Sequence, residues 1–96
     1  MTNIISKLDK AFDSRVRLGI MSSLSVNESA DFNTMKQLME LTDGNLASHL
    51  KALENIEYIQ SIKQFIGRKP NTKYVITELG NTSFKNHLDA LEKLIR

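Results

Sequence analysis

Residues 31–57 read DFNTMKQLMELTDGNLASHLKALENIE, and they decide the fold. Two helical patterns follow each other with almost no chain between them. In the first, Asn33 is placed to cap a helix whose Met35, Leu38 and Met39 recur at i, i+3 and i+4, ending near Leu41. In the second, Thr42 or Asp43 caps a helix with Leu46, Leu50, Leu53 and Ile56 on one face. Two helices joined by about three residues have the spacing of a helix-turn-helix.

Outward from this pair, Ser14 can cap a helix running to Val26, with Val16, Ile20 and Leu24 four apart. Gly19 in its interior costs about 1 kcal/mol against alanine, which a close helix crossing would justify. Ahead of it, Ile4, Ile5, Leu8 and Phe12 form one stripe and predict a first helix over 4–12. The stretch Ser25 to Ser29 is polar and turn-like.

Beyond Glu57 the pattern changes. Tyr58 to Ile66 is β-branched and aromatic, and Thr72 to Ile76 is a second strand-like run. Gly67-Arg68-Lys69-Pro70-Asn71 predicts a hairpin loop of five residues between them. Thr77 then caps a last helix whose Phe84, Leu88, Leu91 and Ile95 are spaced like one coiled-coil seam.

Helices followed by a hairpin make the winged helix-turn-helix arrangement. The fold class expected is mainly α with a small β-hairpin wing, α+β overall. One domain spans 1–96, with the helix-turn-helix at 33–57 and the wing at 58–76. Helices at 1–12 and 77–96 flank it and are available for pairing two chains.

The composition narrows the function. The chain has 96 residues, 41% hydrophobic and 25% charged, which suits one folded domain and argues against disorder. It holds no cysteine, so thiolate metal sites and a cysteine nucleophile are excluded; with only His49 and His87 as imidazoles, no metal or other cofactor is expected. No apolar run is long enough to span a membrane and no signal peptide is visible, so a cytoplasmic protein is expected. Carboxylates are scattered and no glycine-rich phosphate loop is present, which argues against an enzyme.

Net charge is only +2, but its distribution is uneven. From Gln60 to Thr77 the charged residues are Lys63, Arg68, Lys69 and Lys73, with no acid among them. A basic hairpin suits a DNA backbone or a narrow, electronegative minor groove. On the second helix of the pair, Asn45, Ser48, Lys51, Ala52 and Asn55 lie opposite the leucine stripe, and His49 lies at the border. Asn and Ser can bond base edges, while His and Lys reach phosphates. Thr42, Gly44 and Asn45 stand where free N–H groups can meet a phosphate, whereas Asp43 would repel one. The plain alternatives are a solvated helix face and lysines that only block edge pairing; the joint pattern favours DNA.

The runs DSRVRLGIMSSL, DFNTMKQLMELTDGNLASHLKALE and GRKPNTKYVITELG resemble small winged-helix transcription regulators of the MarR/ArsR type, over roughly residues 8–90. The recognition segment LTDGNLxxHLxxLE and the wing GRxPxTxYxxTxxG carry the likeness. The resemblance implies a homodimer on a near-palindromic double-stranded DNA site; the role expected of it is transcription regulation, with repression as the reading. It places Thr42, Asn45, Ser48 and His49 in or beside the major groove, Arg68 and Lys69 at the wing tip, and Arg15 against the backbone. The family usually has glycine where Glu57 stands, supplying a left-handed helix exit. A glutamate there implies a different exit or strain.

Ile4, Ile5, Leu8, Phe84, Leu88, Leu91, Leu94 and Ile95 offer more apolar surface than so small a domain can bury, and are assigned to a dimer interface. His87 in that seam is expected to be a packing residue. Larger family members bind small-molecule effectors in a cleft near the dimer helices; this chain has little material for one, and no effector is assigned. The competing functions are a winged helix that docks proteins without binding DNA and an RNA-binding module. The first would expose apolar anchors on the recognition face, and the second would expose aromatics. At least two of Tyr58, Phe65 and Tyr74 are expected to pack inside.

Overall fold

The computed structural model describes residues 4–96, without the side chain of Ile4. Residues 1–3 of the expected first helix, and the dimer role assigned to Ile4, lie outside the described part.

Two 3₁₀ turns, Ile4–Lys7 and Lys10–Phe12, lead into α1 (Arg15–Val26). A short strand β1 (Ala30–Asp31) precedes α2 (Phe32–Met39) and α3 (Asp43–Asn55). The hairpin β2 (Ile59–Ile66) and β3 (Lys69–Ile76) follows, then α4 (Glu78–Ile95). The sheet is antiparallel with order β1-β3-β2. The fold is therefore an α+β winged helix, with four α-helices and a three-stranded sheet among the described residues.

The apolar stripes meet in one core. Phe12, Ile20, Met21, Leu24, Met35, Leu46, Leu50, Leu53, Ile59 and Phe84 are buried together. Ser14 caps α1 as its position suggests, Oγ accepting from Arg17 N–H at 3.2 Å. Gly19 faces α2 closely: a Cβ there would stand 2.9 Å from Met39 Sδ.

Several sequence expectations are corrected. The first helix over 4–12 is not continuous, because Asp9 anchors the chain sideways. Its backbone N–H donates to His87 Nδ1 at 3.0 Å, its Oδ2 accepts from the Tyr58 hydroxyl at 2.5 Å, and its Oδ1 caps the second turn through Ala11 N–H at 2.9 Å. Burial, reinforced by the Asp9 carboxylate, raises the Tyr58 pKa above its ordinary value. The residue capping α2 is Asp31, not Asn33; Oδ1 accepts from Thr34 N–H at 2.7 Å. Pairing in β1 extends the backbone through Asp31 and aims its carboxylate at the helix start. Leu38 leaves the stripe and is 73% exposed, since an eight-residue helix turns only part of its surface inward.

The hairpin loop has two residues, not five. Lys69, Pro70 and Asn71 pair with Ile66, Phe65 and Gln64. Gly67 at φ +63 followed by Arg68 has the Gly-X order of a type II′ turn, which suits the strand twist. Pro70 is tolerated because β1 pairs with β3 only at Lys73 and Tyr74, leaving the other side of β3 open near the tip.

Phe84, expected at a dimer seam, is 3% exposed within its own chain, with its ring edge-on to Phe12 at 5.5 Å. The broken N-terminal segment brings Phe12 onto α4 and takes up that position. His87 is buried beside it, with ring centroids of Phe12 and His87 5.0 Å apart. Ile5, Leu88 and Ile95 stay exposed, and Leu8, Leu91 and Leu94 are half-buried.

Candidate nucleic-acid interface

Three residues, Glu40, Leu41 and Thr42, join α2 to α3. The reversal is made by Glu40 in the left-handed region, φ 52 and ψ 50. Thr42, not Asp43, is the cap of α3: its Oγ1 accepts from Asn45 N–H at 3.2 Å. Asp43 is left to pair with Lys36 Nζ at 2.8 Å. That ion pair offsets the charge that would oppose a phosphate at the start of α3.

With Leu46, Leu50 and Leu53 buried, Asn45, Ser48, Lys51 and Asn55 are exposed on α3, and Ala52 is half-buried. The remaining acid of the helix, Glu54, is tied to the sheet, Oε2 accepting from Ser61 Oγ at 2.6 Å. The exposed side of α3 thus offers amide, hydroxyl and ammonium groups, and both its carboxylates are engaged elsewhere.

His49 is half-buried, and its Nδ1 accepts from Arg17 Nε at 3.1 Å. This bond uses the Nδ1 lone pair, so the neutral ring carries its proton on Nε2 as a donor. Arg17 was missed by sequence reasoning. Helical spacing sets a residue's face on its own helix, but this contact joins residues 32 apart in the chain. The available signal was a second arginine two positions after Arg15 on the helix that crosses α3. Arg15 itself is exposed at the first residue of α1.

On the hairpin, Lys63, Arg68 and Lys69 are exposed. Lys73 is half-buried and paired in register with Asp31 of β1, so it sits at the root of the wing rather than its tip. Tyr58 and Tyr74 pack against the core, as two of the three aromatics were expected to do. Burial, with a smaller push from the Glu54 charge, holds the Tyr74 pKa above its ordinary value. Phe65 does not pack inside: it is 74% exposed near the wing tip. Gln64 and Asn71 stiffen the hairpin through a cross-strand side-chain bond, Nε2 to Oδ1 at 3.0 Å.

Glu57 adopts φ 63, the left-handed conformation that glycine would take without penalty. The helix exit is therefore kept and the glutamate is strained in it. It is secured by Glu57 N–H to Glu54 O at 3.0 Å, Tyr58 N–H to Leu53 O at 3.0 Å, and Thr77 Oγ1 donating to Glu57 O at 2.6 Å.

Among the described residues, no helix is long and apolar enough to cross a membrane, and no group of three or more histidines and carboxylates is placed to hold a metal ion.

Comparison with known proteins agrees with this geometry. Residues 16–95 match the family described as "Winged helix DNA-binding domain". An uncharacterized protein of Methanocaldococcus jannaschii is 39% identical over 79 residues, covering 82% of this chain and 86% of that one. The structure of a transcriptional regulator homologue from Pyrococcus horikoshii is 32% identical, with 94% of each chain covered and a TM-score of 0.78. A transcriptional regulator from Thermotoga maritima, 16% identical, shares the fold over 85% of this chain and 57% of its own, with a TM-score of 0.72. The chain belongs to the winged helix DNA-binding domain family.

Proposed function

We propose that the protein is a cytoplasmic transcription regulator that binds specific double-stranded DNA as a homodimer and represses by occupying its site. The observation that carries this reading is the α3 surface: Asn45, Ser48 and Lys51 exposed, with Asp43 neutralised by Lys36 and Glu54 held by Ser61. A helix stripped of free acids on one side is suited to the major groove, where Asn and Ser read base edges and Lys meets phosphate. Thr42 and Asn45 stand at its start, and His49 presents its Nε2–H from the border. The exposed Lys63, Arg68 and Lys69 supply the cationic wing, Arg15 adds a backbone contact from α1, and Lys73 contributes long-range charge from the wing root. Exposed Ile5, Leu88 and Ile95, with half-buried Leu8, Leu91 and Leu94, form the surface that a second copy would cover.

Selection from a random duplex pool tests this function, alongside sedimentation of the free protein. Enrichment of one inverted repeat, with half-sites about one helical turn apart and a dimeric free protein, is the expected result. Binding no tighter than to random DNA would refute sequence recognition. No binding at low salt would favour a docking module instead.

A further inference from the structure

The hairpin carries two large apolar side chains that the protein itself does not cover. Phe65 is 74% exposed and Ile66 59% exposed, against 1% for Ile59 at the other end of the same strand. Strands of eight residues reach about 26 Å, and β1 supports only their root, at Lys73 and Tyr74. Phe65 lies opposite Pro70 and Ile66 opposite Lys69, so both stand within one pair of the Gly67-Arg68 turn. Successive residues point to opposite faces of a strand, so the tip is apolar on both sides.

We propose that the wing tip is a minor-groove wedge, in which Phe65, backed by Pro70, enters a base step and kinks the duplex; this rests on the DNA-binding reading above. The charges around it select the occupant. Lys63, Arg68 and Lys69 surround the two apolar residues, and no acid lies between Tyr58 and Thr77. An apolar protein partner gains nothing from that cationic collar, whereas a phosphate backbone does. Once Arg68 and Lys69 hold the phosphates, an exposed phenyl ring has no hydrogen bond to offer. Duplex DNA rewards such a ring at a thymine methyl in the major groove or at the face of a base pair, reached from the minor groove by partial unstacking; with α3 in the major groove, the wing is left the second. The minor groove is about 6 Å wide, so the ribbon lies across its mouth and the side chains of the tip reach in. Flexible pyrimidine–purine steps would be preferred under the wing, a specificity that the α3 side chains do not supply.

Energy transfer between dyes on the two ends of a short duplex reads the bend, and a salt titration of affinity reads the phosphate contacts. Phe65 is exposed, so Phe65→Ala leaves the core intact. The wild-type protein should shorten the end-to-end distance. Phe65→Ala should bind roughly ten- to hundred-fold more weakly, leave the duplex straight and keep the salt slope. Phe65→Leu should restore much of the bend. Arg68→Ala with Lys69→Ala should lower the salt slope instead. A wild-type protein that binds without bending, or a Phe65→Ala protein that bends the duplex equally, overturns the wedge and leaves the DNA reading standing. A Phe65→Ala change that acts only on single-stranded RNA, or only on self-association, overturns it in favour of those partners. Absence of duplex binding by the wild type overturns both readings together.

Discussion

The same substitution should have opposite signs at two glycines that open helices. Gly44 and Gly80 lie in the first turns of α3 and α4. Helix propensity alone favours alanine over glycine by about 1 kcal/mol in a helix interior, and by less in a first turn. A Cβ at Gly44 would meet nothing within 4 Å. Gly44→Ala should therefore stabilise the fold by about 0.5 kcal/mol. A Cβ at Gly80 would lie 2.0 Å from the Tyr58 carbonyl oxygen, far inside van der Waals contact. That oxygen cannot simply step aside, because it accepts from Thr77 N–H at 3.0 Å and so fixes the start of α4. Forcing a methyl into packed surroundings costs about 1–3 kcal/mol, and losing the hydrogen bond about 1 more. Repulsion from backbone places this case at the high end, so the clash outweighs the propensity gain. Gly80→Ala should destabilise by about 3 kcal/mol, lowering the melting temperature by roughly 12–24 °C. Urea and thermal unfolding followed by circular dichroism give both values. A neutral or stabilised Gly80→Ala protein would refute the packing assigned between α4 and the Tyr58 backbone.

Glu57→Gly should relieve a left-handed glutamate worth about 1–2 kcal/mol and return about 0.5–1 kcal/mol through greater unfolded-state freedom. A small net stabilisation in urea unfolding is expected, and a destabilised variant would show that the glutamate side chain outweighs the strain. Backbone and side-chain hydrogen bonds from Thr34, with help from Asn71, hold the Asp31 carboxyl below its ordinary value of 3.8. A depressed folded value means that the cap stabilises fully above that pH and that its contribution fades as pH falls through the folded value. Asp31→Ala should cost about 1 kcal/mol at neutral pH, by urea unfolding, and the gap to wild type should narrow in strong acid. A gap independent of pH would contradict an ionised cap. Leu88→Glu with Ile95→Glu should dissociate the proposed dimer in sedimentation without unfolding it, since both side chains are exposed; a dimer that survives would place the interface elsewhere.

Much of the fold was legible where local signals agreed. Ser14, Thr42 and Thr77 each precede an apolar stripe, and each caps the expected helix. The change of period after Glu57 marked the hairpin. Failures came where a distant partner overrode the local pattern. The stripe of Ile5, Leu8 and Phe12 looked helical, but Asp9 is held by Tyr58 and His87, which lie 49 and 78 positions away. Strand β1 has two residues and exists through its pairing with Lys73 and Tyr74, so no run of Ala30-Asp31 could announce it. Phe84 kept seam spacing yet went into the core, because periodicity selects a face without saying which chain covers it. For the candidate site, helical spacing put Asn45, Ser48 and Lys51 on the exposed side. The Arg17–His49 and Lys36–Asp43 contacts cross between helices, and the exposure of Phe65 depends on where β1 stops supporting the hairpin.

The most direct test of the central claim is the affinity for duplex DNA measured against salt, for the wild type and for Arg68→Ala with Lys69→Ala. Each phosphate contact contributes about 0.9 to the slope of log affinity against log salt. A steep wild-type slope that falls by about 2 in the double variant is the expected result. Equal slopes in the two proteins, or a wild-type affinity insensitive to salt, would contradict a wing that grips the DNA backbone.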